Sequence, residues 1–154
     1  MINQLLHIKT VRADKAHRAA QQQAYHVSRA STALDKSQQA INDYNQWREQ
    51  EERRRFAKAQ QSSVLLKELD TLRQEIALLR EREAELKQQA AEAKKHLEHE
   101  RMVFAQKKKL AVVAYKATEK CARLYQQQQQ TEKARSEQYQ EELDQEEFRT
   151  IAVM

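Results

Sequence analysis

Not one glycine and not one proline occurs among the 154 residues of this chain. Glycine supplies left-handed helix caps and most tight turns, and proline ends helices because it lacks an N–H and clashes with the preceding turn. Average usage would place about 18 of these two residues in a chain of this length. A compact fold with many turns is therefore excluded in favour of a few long, uninterrupted helices. The remaining composition agrees, because Ala, Gln, Glu, Lys, Arg and Leu are all good helix formers.

Charged residues make up 33% of the chain, yet its apolar residues are spaced periodically, which separates a helical protein from a disordered one. The clearest register runs Leu65, Leu69, Leu72, Ile76, Leu79, Glu83, Leu86, Ala90, Ala93, Leu97, Glu100, Phe104, Lys107, Ala111, Ala114, Thr118, Cys121 and Tyr125. Fourteen of these 18 positions are apolar, the alternating three- and four-residue steps of a coiled-coil seam. The polar positions 83, 100, 107 and 118 weaken the seam and help to fix its register. A softer seam precedes it through Ala20, Gln23, Val27, Ala30, Leu34, Ser37, Ile41 and Tyr44, and Leu5, Leu6, Ile8 and Val11 extend an apolar face toward the N-terminus. After Tyr44 the same register demands Arg48, Glu51 and Arg55, so the periodicity is expected to break between about residues 47 and 63.

Within that break, Ser62-Ser63 offers the N-cap of a second helix. The sequence thus predicts an all-α fold, a long antiparallel two-helix coiled-coil hairpin with unequal arms, forming a single domain over 1–154. Helix one is expected at about 3–59, the reversal at about 60–63 and helix two at about 64–148. The paired length is then roughly 85 Å at 1.5 Å per residue. Residue i faces approximately residue 123 − i, and helix two beyond about residue 120 overhangs without a partner in the chain.

Charge is unevenly distributed. Residues 1–60 carry 11 basic and 6 acidic side chains, residues 61–125 carry 14 and 10, and residues 126–154 carry 3 and 7. A basic body with an acidic tail points to acidic partners for the body. A run of about 18 apolar residues, as a membrane-spanning helix requires, does not occur. The N-terminus lacks a signal-peptide pattern, and the lone Cys121 suits a reducing compartment, so a cytoplasmic protein is expected.

Catalytic chemistry finds little support. Without glycine there is no phosphate-cradling loop and no nucleophile elbow. His96 and His99 sit one turn apart but want the third and fourth ligands of a metal site, and Cys121 occupies a seam position. No enzyme activity, cofactor or metal is expected. Leucines at 65, 72, 79 and 86 behind Arg53-Arg54-Arg55 imitate a basic zipper, but Glu49, Glu51 and Glu52 beside the arginines repel phosphates. Three of the nine aromatics, Tyr44, Trp47 and Phe56, cluster near the proposed reversal, where a thin seam cannot cover them fully.

The stretch Ile41-Asn42-Asp43-Tyr44-Asn45-Gln46-Trp47-Arg48, followed by Glu51-Glu52 and Arg55-Phe56, resembles the Asp-Tyr-x-x-Trp-Arg region of the YscO family of type III secretion proteins. Met1-Ile2 with Leu6, Ile8-Lys9 and Arg12, the segment from Gln74 to Ala84 and the ending from Tyr139 to Phe148 resemble it too. That resemblance, which extends to the flagellar export protein FliJ, implies a stalk-like hairpin that associates with a hexameric export ATPase, contacts the export-gate protein and engages export chaperones, at the cytoplasmic base of the apparatus. It implies a gate-binding tip at Ile41, Tyr44, Leu65, Leu69 and Leu72, all of which also fit the seam; Trp47, a large aromatic beside the seam, joins them as a candidate anchor for the gate or a chaperone. The charge pattern nominates Arg12, Arg18, Lys107, Lys108 and Lys109 for the ATPase. A monomeric hairpin that binds neither nucleic acid nor membrane is the leading expectation; a homodimerising structural coiled coil and a zipper-like DNA binder are the alternatives.

Overall fold

The computed structural model describes residues 1–61 and 66–153 of the chain. Two helices account for nearly all of them: α1, Ile2–Gln61, and α2, Leu66–Val153. They pack antiparallel as a hairpin with arms of 60 and 88 residues. The expected cap at Ser62-Ser63 and the start of helix two at Val64 lie outside the described residues. No described residue has a cis peptide bond or a positive φ, as continuous right-handed helix requires.

The seam of α2 follows the sequence register closely. From Leu72 to Tyr125 every position named above is buried or half-buried, and Leu97 and Cys121 are among the most buried residues of the chain. Leu69, by contrast, is 44% exposed, and Leu65 lies outside the described residues. On α1 the seam from Ala20 to Tyr44 is likewise covered, with Ala20 and Ala30 buried.

Two expectations about α1 are corrected. The register does not break after Tyr44: Arg48 is buried and Glu51, Glu52, Arg55 and Ala59 are half-buried on the same stripe. Ion pairs replace apolar contacts there, so a polar seam continues where an apolar pattern stops. Toward the N-terminus the stripe runs through Ile2, Leu6, Lys9, Ala13 and Ala16. Only Leu6 of the four expected residues lies on it; Leu5, Ile8 and Val11 are exposed because alternating steps of three and four carry the seam past them.

The contacts divide the chain into two compact units: Met1–Ala20 with Gln106–Met154, and Gln21–Ala105. In the second unit, the Gln23 side-chain amide donates to the backbone carbonyl of Glu100 at 3.1 Å and also to the Glu100 carboxylate. The Tyr44 hydroxyl donates to the Leu79 carbonyl at 2.6 Å. Both pairs satisfy the expected relation of i to 123 − i. In the first unit the Thr118 hydroxyl lies 3.1 Å from the Lys9 carbonyl and 3.0 Å from that of Ala114. That cross-helix pair is offset from the relation by four residues, about one helical turn. Polar side chains at seam positions thus mark the register in each unit.

From Gln126 to Val153, α2 is exposed along its whole length, in line with the overhang. The helix reaches Val153, five residues beyond the expected end.

Because Leu97 is only 4% exposed, its truncation removes contacts that nothing else in a thin seam can replace. Leu97→Ala is expected to lower stability by about 2–4 kcal/mol in denaturant melts. Leu110→Ala, at a residue 64% exposed, is expected to stay within about 0.5 kcal/mol in the same measurement.

Candidate partner-binding surfaces

The candidate residues fall into two sets, and each set lies within one compact unit. Ile41, Tyr44, Trp47, Leu69 and Leu72 belong to the unit Gln21–Ala105, whereas Arg12, Arg18, Lys107, Lys108 and Lys109 belong to the unit that holds both chain termini.

In the first set, Ile41, Tyr44 and Leu72 are half-buried seam residues, and Trp47 and Leu69 are exposed. Trp47 sits one turn after Tyr44, so that their rings approach to 5.7 Å between centroids at 40°. The Tyr44 hydroxyl is anchored on the Leu79 carbonyl, and burial raises its pKa above the ordinary value, opposed by the nearby charges of Arg48 and Arg82. Tyr44 is thereby a fixed platform, and Trp47 presents indole to solvent beside it. Phe56, Leu66, Leu69 and Leu78 are exposed in the same unit. Of the described residues that fit both seam and surface, Ile41, Tyr44 and Leu72 pack in the seam and Leu69 is exposed.

Sequence reasoning missed the ionic network under these residues. Arg48 lies 3.1 Å from Glu52 and, through Nε, 3.2 Å from Glu83 on α2. The side chains of Arg48, Glu51, Glu52 and Glu83 are only 11–15% exposed. Glu51 accepts from Arg54 at 2.6 Å and from Arg55 at 3.0 Å, and Arg55 reaches across to Glu75 at 3.0 Å. Lys87 pairs with Glu83 at 2.9 Å and Arg80 with Glu52 at 3.5 Å. The signal that could have revealed this network was opposite charge at seam positions of both helices. Near the network a cleft of about 390 Å³ runs between Arg54, Arg55, Lys58 and Ala59 of α1 and Glu68, Thr71, Leu72 and Glu75 of α2. Its lining mixes both signs of charge with the edge of Leu72, a form suited to a polar partner segment rather than a small apolar ligand.

In the second set, Arg12, Arg18, Lys108 and Lys109 are exposed, and Lys107 is half-buried at its seam position. Exposed Leu5, Ile8, Leu110, Val113 and Leu124 share this unit with them. This unit therefore carries both exposed positive charge and exposed apolar side chains. Among the described residues no group of three or more metal-ligating side chains gathers, and no helix is long and apolar enough to cross a membrane.

Residues 2–150 match the protein family described as Type III secretion protein YscO. Among solved structures, the 2.8 Å crystal structure of Type III Secretion Protein YscO from Vibrio parahaemolyticus is similar. That match has 57% sequence identity and a TM-score of 0.82, and covers 96% of this chain and 92% of that one. No curated protein matches.

The Glu51 carboxyl is held at about 2, below its ordinary 4.5, chiefly by the hydrogen bonds from Arg54 and Arg55. Glu83 is also lowered, first by its bond from Lys87 and then by the Arg48 charge. A carboxylate that resists protonation in the folded state stabilises that state above its unfolded pKa, and the contribution disappears as pH falls through the folded value. Melting temperature is therefore expected to drop between pH 4.5 and about 2 as Glu51 protonates. Glu51→Gln should melt lower than the native chain at pH 7 and lose less over that acid window, as followed by circular dichroism.

Proposed function

Since the chain belongs to the YscO family of type III secretion proteins, we propose that it is a non-enzymatic stalk or adaptor of the secretion apparatus. In this reading it links the hexameric export ATPase to the export-gate protein, engages export chaperones, and works in the cytoplasm at the base of the apparatus. The observation that supports the reading is that the two sets of candidate residues fall on two different compact units of one hairpin. Basic residues and exposed aliphatic side chains lie on the unit with the termini; an anchored Tyr44 with a displayed Trp47 lies on the other. A protein that bridges two components needs separable surfaces, and it needs no pocket.

The basic surface suits an acidic face of the ATPase, because complementary charge orients and accelerates encounter. Trp47 suits the gate or a chaperone, because a large aromatic fixed at its base gives contact area at little entropic cost. The Tyr44–Trp47 pair makes a role at this surface more specific than a merely structural homodimer would require.

Two measurements test the reading. Reversing Arg12, Arg18, Lys108 and Lys109 to Glu, with half-buried Lys107 left in place, is expected to weaken ATPase binding at least about tenfold. Reversing Arg29, Lys36, Arg53 and Arg73, exposed cations of the other unit, should leave it within about threefold. Raising salt from 50 to 500 mM shortens the screening length from about 14 to about 4 Å and should loosen the native complex. Equal loss from both sets would indicate diffuse attraction and defeat the assignment. In the second measurement, Trp47→Ala is expected to lower stability by no more than about 1 kcal/mol. It should nonetheless abolish detectable pull-down of the gate protein or a chaperone; unchanged capture returns Trp47 to a packing role.

A further inference from the structure

Arg80, Lys87, Lys94 and Arg101 are four successive members of a seven-residue repeat of cations on one flank of α2 that also takes in Arg73 and Lys108; these four are all exposed and all lie within the unit Gln21–Ala105. Each follows a seam residue, Leu79, Leu86, Ala93 or Glu100, by one position. Seven residues rise about 10.5 Å and drift only about 20° around a straight helix. The charges therefore form a column about 32 Å long. The approach of Arg80 Nε to Glu52 at 3.5 Å shows which side of α1 this flank adjoins. At the matching heptad positions of α1, Gln38, Ser31 and Ala24 are neutral. On the outer side of the column α2 carries Ala84, Ala91 and Ala105, interrupted only by Glu98.

The ends of this column differ in how far they are engaged. Arg80 and Lys87 contact Glu52 and Glu83 of the ionic network. Lys94 and Arg101 form no such ion pair among the described residues, and Glu98 is the one acid that lies about one helical turn from both.

We propose that this flank seats an acidic α-helix of a partner protein, laid along α2 as a third strand with its carboxylates repeating every seven residues. A helix is the ligand whose charge repeat equals this spacing; successive phosphates of one DNA strand lie about 3.4 Å apart along the axis. The alanines and serine beside the column leave room for a second helix to approach closely, since small side chains shorten the distance between helix axes. The same small residues leave no large apolar side chain to enter a bilayer beside the charges, as a membrane-binding face needs. Trp47 lies off this column, and although Lys108 of the basic set continues its repeat, Lys94 and Arg101 belong to neither assignment above.

Fluorescence anisotropy of the full chain with a designed helical peptide tests it. The peptide has four heptads of Ala and Gln with Glu at one heptad position; a control of identical composition carries its glutamates at five-residue intervals. The in-register peptide is expected to bind at least tenfold more tightly than the control. The double variant Lys94→Glu with Arg101→Glu should lose that binding, and Lys94→Gln with Arg101→Gln should weaken it at least threefold. Reversal of Lys36 and Arg53, off the column, should change it less than twofold. Circular dichroism of each variant establishes that it retains the hairpin. Equal binding of the two peptides, no binding by either, or binding indifferent to Lys94 and Arg101 overturns the proposal. So does tighter binding of a DNA duplex than of the peptide. Self-association in sedimentation that vanishes with the double variant would assign the flank to a second copy, and that too overturns it.

Discussion

Polar groups inside a narrow seam set the terms for the rest of this molecule. Two helices in contact along one stripe bury little, and leucine against alanine tolerates a slip of one heptad at small cost. Gln23 bonded to the Glu100 carboxylate does not tolerate it, because a shifted register takes that partner from a part-buried donor, at a cost of about 1–3 kcal/mol. The Tyr44 hydroxyl on the Leu79 carbonyl and the Thr118 hydroxyl, which also bonds the Ala114 carbonyl, add direction to the same contact line. Register is therefore specified by a few directional contacts, while apolar packing supplies the less selective attraction. Once the register is set, so is every surface feature, because exposed positions on a helix have no independent choice of direction.

The ionic network beside Tyr44 extends the same logic. Arg48, Glu52 and Glu83 stand where leucines would pack better, and such pairs add little net stability by comparison with apolar residues. They do allow two helices to stay paired while keeping their charged heads at the seam's edge. Trp47 can be displayed there because its neighbour Tyr44 is held from below rather than by the indole itself.

Much of this was legible in the sequence because the heptad repeat has one geometric meaning. The α2 stripe from Leu72 to Tyr125, the hairpin and the unpaired end all follow from spacing. What escaped was everything that spacing of apolar residues does not encode. Arg48, Glu51 and Arg55 read as a break, because Arg48 and Arg55 take their partners Glu83 and Glu75 from the other helix and Glu51 is neutralised by Arg54 and Arg55 beside it. Leu5, Ile8 and Val11 read as seam from their apolarity alone, although the alternating steps that carry Leu6, Lys9 and Ala13 inward turn those three outward. The contrast between a packed Tyr44 and a displayed Trp47 was legible, because Tyr44 falls on the seam and Trp47 beside it; the anchoring of the Tyr44 hydroxyl on the Leu79 carbonyl needed the side-chain geometry.

The end of the seam at Tyr125, with α2 continuing to Val153, has a thermodynamic consequence of its own. The costly first turn of that final segment is already supplied by the paired helix, so it remains helical by propagation alone. Propagation near unity per residue is a shallow gradient, sensitive to temperature and solvent, whereas the paired portion melts cooperatively. Ellipticity at 222 nm should consequently slope well before the main transition, as helix unwinds inward from Val153 toward the first seam residue. The chain carries two kinds of helix in one element: one that melts all at once, and one that shortens by degrees.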